Sequence, residues 1–180
     1  MLSIKNVILG LGALMILSSC SPNLSPYTQN LHRSLNLTEA EMKKVQFYLS
    51  EELVLERISD LDQAEIKEGR ITLSRDRDVK RVRIPARTPG VLVSSKDGKR
   101  LAVSFDPESD REYLTFGPSS GMQGRYMLTA REWQGRSAIV TYGGQPYRTK
   151  PGAQSVGLLV ELRALEKQRT ESRTVRGRKP

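Results

Sequence analysis

The chain has one cysteine, one histidine and one tryptophan among its 180 residues, and aromatic side chains make up only 6% of it. A single thiol builds neither a disulfide framework nor a zinc centre. A single histidine rules out the paired histidines of a helical metalloprotease. It also removes the Ser-His or Cys-His couple of common hydrolases, because His32 lies in a polar, Pro-containing stretch and Cys20 closes an apolar segment. The glycine-rich run Gly117–Gly124 has no lysine and no helix pattern after it, as a phosphate-binding loop requires, and reads as a flexible loop at the rim of a binding face. No catalytic residue, no metal site and no cofactor is nominated, and the expectation is a non-enzymatic protein. Long apolar runs are equally scarce. The one present, Val7–Leu17, is too short for a helix that crosses a membrane, which needs ~20 apolar residues.

That run has a specific setting. Lys5 precedes it, and Ser18, Ser19 and Cys20 follow it. A positive start, an apolar stretch of ~7–15 residues and small residues before a cut make a secretory signal. The tetrad Leu17-Ser18-Ser19-Cys20 resembles the lipobox of bacterial lipoproteins, in which leucine, two small residues and cysteine end the signal. The resemblance implies that a diacylglyceryl group is attached to the Cys20 sulfur and that a lipoprotein signal peptidase, recognising Leu17, Ser18 and Ser19, cuts before it. It further implies a partner: the membrane, held through the N-terminal lipid. Ser21, rather than an aspartate, follows the cysteine, and no acidic cluster comes after it. By resemblance to the sorting rule of two-membrane bacteria, this places the chain on the outer membrane, at its periplasmic face.

Charge is unevenly distributed. The formal net charge is +9, yet Arg163–Pro180 alone holds seven basic residues against two acidic ones. The segment 166–180 is poor in apolar residues and ends in Arg173, Arg176, Arg178 and Lys179; it is expected to be a disordered basic tail. In a cytoplasmic protein such a tail points to nucleic acid. Export excludes that partner and leaves anionic lipid head groups or envelope polymers, with Arg173, Arg176, Arg178 and Lys179 as anion-binding residues.

Between anchor and tail the sequence divides at Thr38. Residues 20–37, with Pro22, Pro26 and several Ser and Asn, show no period and read as a tether, with His32 in a solvated loop. Thr38 and Glu41 have the spacing of a capping box, with Leu37 and Met42 as its staple, so a helix is predicted from about Glu39 to Leu49. Period-two segments follow at Leu53–Ile58, Ile71–Leu73, Val79–Ile84, Gly90–Ser95, Arg100–Phe105, Tyr113–Phe116, Gly124–Glu132, Ser137–Tyr142 and Val156–Leu165. Asp97-Gly98, Gln134-Gly135 and Gly143-Gly144 supply hairpin turns between them. The predicted fold is mainly β: a small antiparallel β-barrel or roll over 38–165 with one N-terminal α-helix. Gln46–Ser50, Thr88–Val91, Val103–Phe105 and Leu114–Gly117 are similar to segments of a group of uncharacterised Bacteroidota lipoproteins. That resemblance spans most of the domain, implies no activity or site residue, and supports the outer-membrane address.

Two local features remain. The acids of Asp106–Glu112 alternate as in a calcium loop, but the segment lacks the glycine of its sharp turn and reads as a solvated turn. This segment, Asp60 with Asp62, or Glu51 with Glu52 would supply the acids if the domain were a hydrolase working through carboxylates alone. Tyr113, Tyr126, Trp133, Tyr142 and Tyr147 fill a β core or form a platform for sugar or peptide, with Trp133 the one expected to be exposed beside its turn. The expected role is that of a lipid-anchored accessory or assembly factor for another envelope component. The alternative is an anionic glycan or lipid-binding module using the tail.

Overall fold

A computed structural model of the chain describes residues 23–58, 80–96 and 98–171, with side chains except those of 168–171. Among these residues the order is β1 (Leu24–Pro26), α1 (Gln29–Leu35), α2 (Glu39–Met42), β2 (Phe47–Leu49), β3 (Leu53–Arg57), β4 (Arg81–Ile84), β5 (Pro89–Lys96), β6 (Arg100–Ser104), β7 (Tyr113–Ser119), β8 (Arg125–Leu128), β9 (Glu132–Gln134), β10 (Ser137–Tyr142), β11 (Gln145–Thr149), β12 (Leu158–Glu161) and α3 (Leu162–Glu171). The chain is mainly β, as its patterning predicts. Two antiparallel sheets form, one of seven strands in the order β1-β12-β2-β5-β6-β7-β8 and one of five in the order β4-β3-β11-β10-β9.

Alternation builds both sheets. Ala138, Val140 and Tyr142 of β10 turn inward, as do Leu53 and Leu55 of β3 and Leu158 and Val160 of β12, and each is at most 5% exposed. They meet Phe47, Leu49, Leu101, Val103, Leu114 and Phe116 in one core. The three predicted hairpins are present, and their glycines explain the tightest of them. Gly143 and Gly144 take φ of 57° and 75°, the left-handed pair that a two-residue turn between Tyr142 and Gln145 requires.

Neither sheet closes into the barrel or roll expected. The end strands β1 and β8 approach, but the seam consists of isolated bridges, Thr28 to Arg125 and Met127 to Gly157. A continuous ladder stops because β1 is three residues long, Pro26 has no N–H to contribute, and Thr28 already caps the next helix.

The tether reading of residues 20–37 also needs correction, since Leu24 to Leu35 belong to the fold. β1 pairs with β12 through Leu24–Glu161, Ser25–Val160 and Pro26–Leu159. Tyr27 is 1% exposed. The residues that resembled a linker serve as strand edge and helix caps: the Thr28 hydroxyl accepts the Leu31 N–H at 3.2 Å, and Asn36 ends α1 at φ 46°. With only two turns, α1 is too short to display a period.

Four boundaries move as well. The capping box is present, with the Thr38 N–H donating to Glu41 Oε2 at 2.9 Å and the Glu41 N–H to Thr38 Oγ1 at 3.3 Å, but the helix ends at Met42. Phe47–Leu49 is instead β2, because pairing between β12 and β5 buries Phe47 and Leu49 completely. Gly124–Glu132 divides into β8 and the start of β9, and Val156–Leu165 into β12 and the start of α3. Glu166–Glu171, assigned above to a disordered tail, continues α3. The predicted strand Ile71–Leu73 lies outside the described residues.

Candidate functional site

The residues of the predicted anchor, Leu17, Ser18, Ser19 and Cys20, and those of the predicted anion site, Arg173, Arg176, Arg178 and Lys179, lie outside the described residues. The fold nevertheless sets their attachment points. Only Ser21, Pro22 and Asn23 separate Cys20 from β1. Leu24 stands opposite Glu161, the residue immediately before α3, so the chain enters the domain beside the helix that leads to the basic tail.

Among the described residues, four places have chemistry. The first is the contact of α1 with the tip of the β5–β6 hairpin. The Tyr27 hydroxyl and His32 Nδ1 are 2.8 Å apart, and the Tyr126 hydroxyl donates to the Gly98 carbonyl. The Tyr27 ring stands edge-on to Phe47 at 5.2 Å and tilted against Tyr126 at 5.1 Å. Gly98, at φ 61°, lies so close to His32 Nε2 that any side chain there would collide with it. Burial, and then the Arg33 charge, hold the His32 imidazole below its ordinary value, and burial pushes both tyrosines up. A shallow cavity of about 310 Å³ opens beside this cluster, lined in part by Gln29, His32, Arg33, Asn36 and Lys99. His32 is thus not in a solvated loop. It is a neutral staple between helix and hairpin, with one nitrogen engaged by Tyr27.

The second is the acidic segment after β6. Ser104 is 2% exposed, and its hydroxyl accepts the Asp106 N–H at 3.2 Å while sharing its hydrogen between the carbonyls of Ser109 at 2.9 Å and Glu112 at 3.0 Å. One buried hydroxyl thereby shapes the whole loop. It brings the Asp106 and Glu112 carboxyls into hydrogen-bond contact, which raises Glu112 above the ordinary carboxylate range, with burial and the Asp106 charge adding to it. Tyr142 is pushed up to about 12 by burial, followed by the two acids and Tyr147. Carboxyls in direct contact stand closer than the ~5–5.5 Å of a retaining glycosidase pair. The other acids have partners too: Glu51 accepts from the Ser155 hydroxyl at 2.9 Å, and Glu52 pairs with Arg83 at 2.6 Å. Asp60 and Asp62 lie outside the described residues.

The raised Glu112 has a pH signature. Its contribution to stability is complete below the usual glutamate range and is lost as pH rises through the raised value. Glu112→Gln keeps a hydrogen-bonding side chain without the second charge. It is expected to raise the melting temperature slightly near pH 7 and to lose that advantage near pH 4. The effect is small because the pair is only half-buried and partly screened by solvent. Paired thermal melts at the two pH values measure it.

The third place is the rim of the five-stranded sheet. β9 is an edge strand whose three residues are all exposed, and Trp133 on it is 43% exposed. Trp133 pairs with Ala138, which is 1% exposed and faces the core, so the indole stands on the core side of the sheet at its uncovered margin. The other aromatics separate by role: Tyr126, Tyr142 and Tyr147 are buried, and Tyr113 is 40% exposed. The fourth is the glycine-rich loop at the end of β7, which turns through Ser120–Met122 and leaves Met122 38% exposed.

Sequence reasoning found Trp133 from the turn beside it. It missed the Tyr27–His32–Tyr126 cluster: Tyr27 and His32 are five residues apart with no spacing motif, and Tyr126 is distant in the chain. Comparison with protein-family models, with curated proteins and with solved structures finds no match to the chain.

Proposed function

We propose that the chain is a lipoprotein of the outer membrane, held at its periplasmic face through Cys20, and that its β domain acts without catalysis as an accessory or assembly factor for another envelope protein. The observation that carries the docking role is Trp133: a large aromatic, 43% exposed, on an edge strand paired on one side only, with β10. Exposed edges accept a further strand, and indoles are prominent among the residues that dominate interface energies. The spacing of three residues between Cys20 and β1 supports a partner in or on the same membrane.

Trp133 is the only tryptophan, so its fluorescence reports on this edge alone. Acrylamide is expected to quench the isolated protein readily and to quench a captured complex much less. Trp133→Ala is expected to reduce capture of the partner at least ~10-fold, as for an interface hot spot. It should leave stability within ~1 kcal/mol, as for other surface substitutions. Unchanged capture by the variant would reject the docking edge.

A second reading, an anionic glycan or lipid-binding module, is favoured by α3, on which Arg163 and Lys167 are exposed on the way to Arg173, Arg176, Arg178 and Lys179. Binding to envelope preparations that is lost on truncation after Glu171 would support it.

A further inference from the structure

We infer that α3 is a membrane-surface element, whose outward basic face lies on the anionic phospholipid head groups beside the Cys20 anchor. The inference rests on the lipoprotein reading and on three features of the fold. First, the path from Cys20 to Leu24 is four residue steps, at most ~14 Å when extended, so a lipidated Cys20 holds β1 at the bilayer surface. Second, Leu24 is the register partner of Glu161, and Leu162 begins α3. Opposed residues of antiparallel strands stand only ~4.5–5.5 Å apart, so α3 starts beside the first residue of β1, within that same short reach of Cys20.

Third, the faces of α3 are distinct. Leu165 is 3% exposed and holds the helix to the core. Arg163 and Lys167 are both exposed and, four residues apart, lie on one stripe turned away from Leu165. Leu162, 39% exposed, adds an apolar side chain at the end nearest the anchor. Beyond Glu171 the sequence continues with four more basic residues and no acid. Basic side chains act on an anionic surface over about one Debye length, ~8 Å at physiological salt, so an anchor that keeps this end of the domain at the membrane lets the exposed stripe of α3 reach the head groups. The lipid supplies attachment, and α3 supplies orientation: one end of the domain faces the head groups, fixing which surfaces face the periplasm.

The test uses the chain from residue 20 onward with Cys20→Ser, made without lipid; every described element follows that point. It is sedimented with vesicles of phosphatidylcholine alone and of phosphatidylcholine with about a third phosphatidylglycerol. Binding to the phosphatidylglycerol vesicles is expected, with release at high salt. The double variant Arg163→Glu, Lys167→Glu should weaken that binding by roughly 10-fold or more, each basic residue near such a surface having a substantial share. Its circular dichroism should match that of the parent. Equal binding to both vesicle types, or a double variant that binds as the parent does, overturns the inference. Fatty-acid labelling of the intact chain tests the anchor separately: a labelled Cys20 with no anionic preference overturns the surface element alone, whereas an unlabelled Cys20 overturns the lipoprotein reading and, with it, the placement of α3 beside an anchor.

Discussion

Replacing Cys20 with alanine is expected to abolish incorporation of a clickable fatty acid and to shift the chain from the membrane to the soluble fraction. The argument is one of magnitude. Each buried methylene contributes ~0.8 kcal/mol, one acyl chain binds marginally, and two or more hold a protein stably. The basic face of α3 cannot replace that, because electrostatic attachment is released by salt and lipid insertion is not. Membrane retention of the intact chain through a high-salt wash, and its loss in Cys20→Ala, is therefore the expected pattern. An unlabelled, soluble intact chain would end the lipoprotein reading and return the domain to the class of secreted binders.

Tyr27→Ala is expected to destabilise the domain by ~3–5 kcal/mol, the range for deleting a buried aromatic. Tyr27 is 1% exposed, its ring meets Phe47 and Tyr126, and its hydroxyl is 2.8 Å from His32 Nδ1. Truncation removes the ring contacts and leaves the imidazole without its partner, while the cavity opens between α1 and the seven-stranded sheet. Tyr27→Phe isolates the hydroxyl and is expected to cost only ~0.5–1.5 kcal/mol, the net value of one hydrogen bond. Urea unfolding measures both. A midpoint unchanged in Tyr27→Ala would mean that residues 24–37 are the tether their composition suggests. A large loss makes them structural and confines any tether to the three residues before β1.

The same contrast runs through the rest of the molecule. Turns and caps were legible because their chemistry is local: two successive glycines between Tyr142 and Gln145 demand a left-handed turn, and Thr38 with Glu41 closes a reciprocal hydrogen-bond pair wherever a helix begins. The inward positions of β10 and β3 were legible because a half-buried strand alternates. Phe47–Leu49 was misread because three residues satisfy a helix period and a strand period equally well. Only their partners Leu158–Val160 and Gly90, each more than 40 positions away, decide for the strand. The start of the basic tail falls after Glu171 rather than at Glu166, since a polar helix docked through one buried leucine, Leu165, has no apolar period to display.

The candidate sites divide along the same line. The amino-acid sequence alone determined the mainly β character of the domain, its hairpin turns and the exposure of Trp133, each carried by residues close together in the chain, and it is the sole source of the proposal that Cys20 ends an export signal. Tertiary structure alone decided that β1 and α1 belong to the fold, that His32 is packed between Tyr27 and Gly98, that Asp106 and Glu112 share a hydrogen bond above Ser104, and that the chain enters beside α3. The reason is that local chemistry is carried by neighbours in the chain, whereas burial, shared protons and the pairing of β1 beside the start of α3 depend on which distant strands find each other.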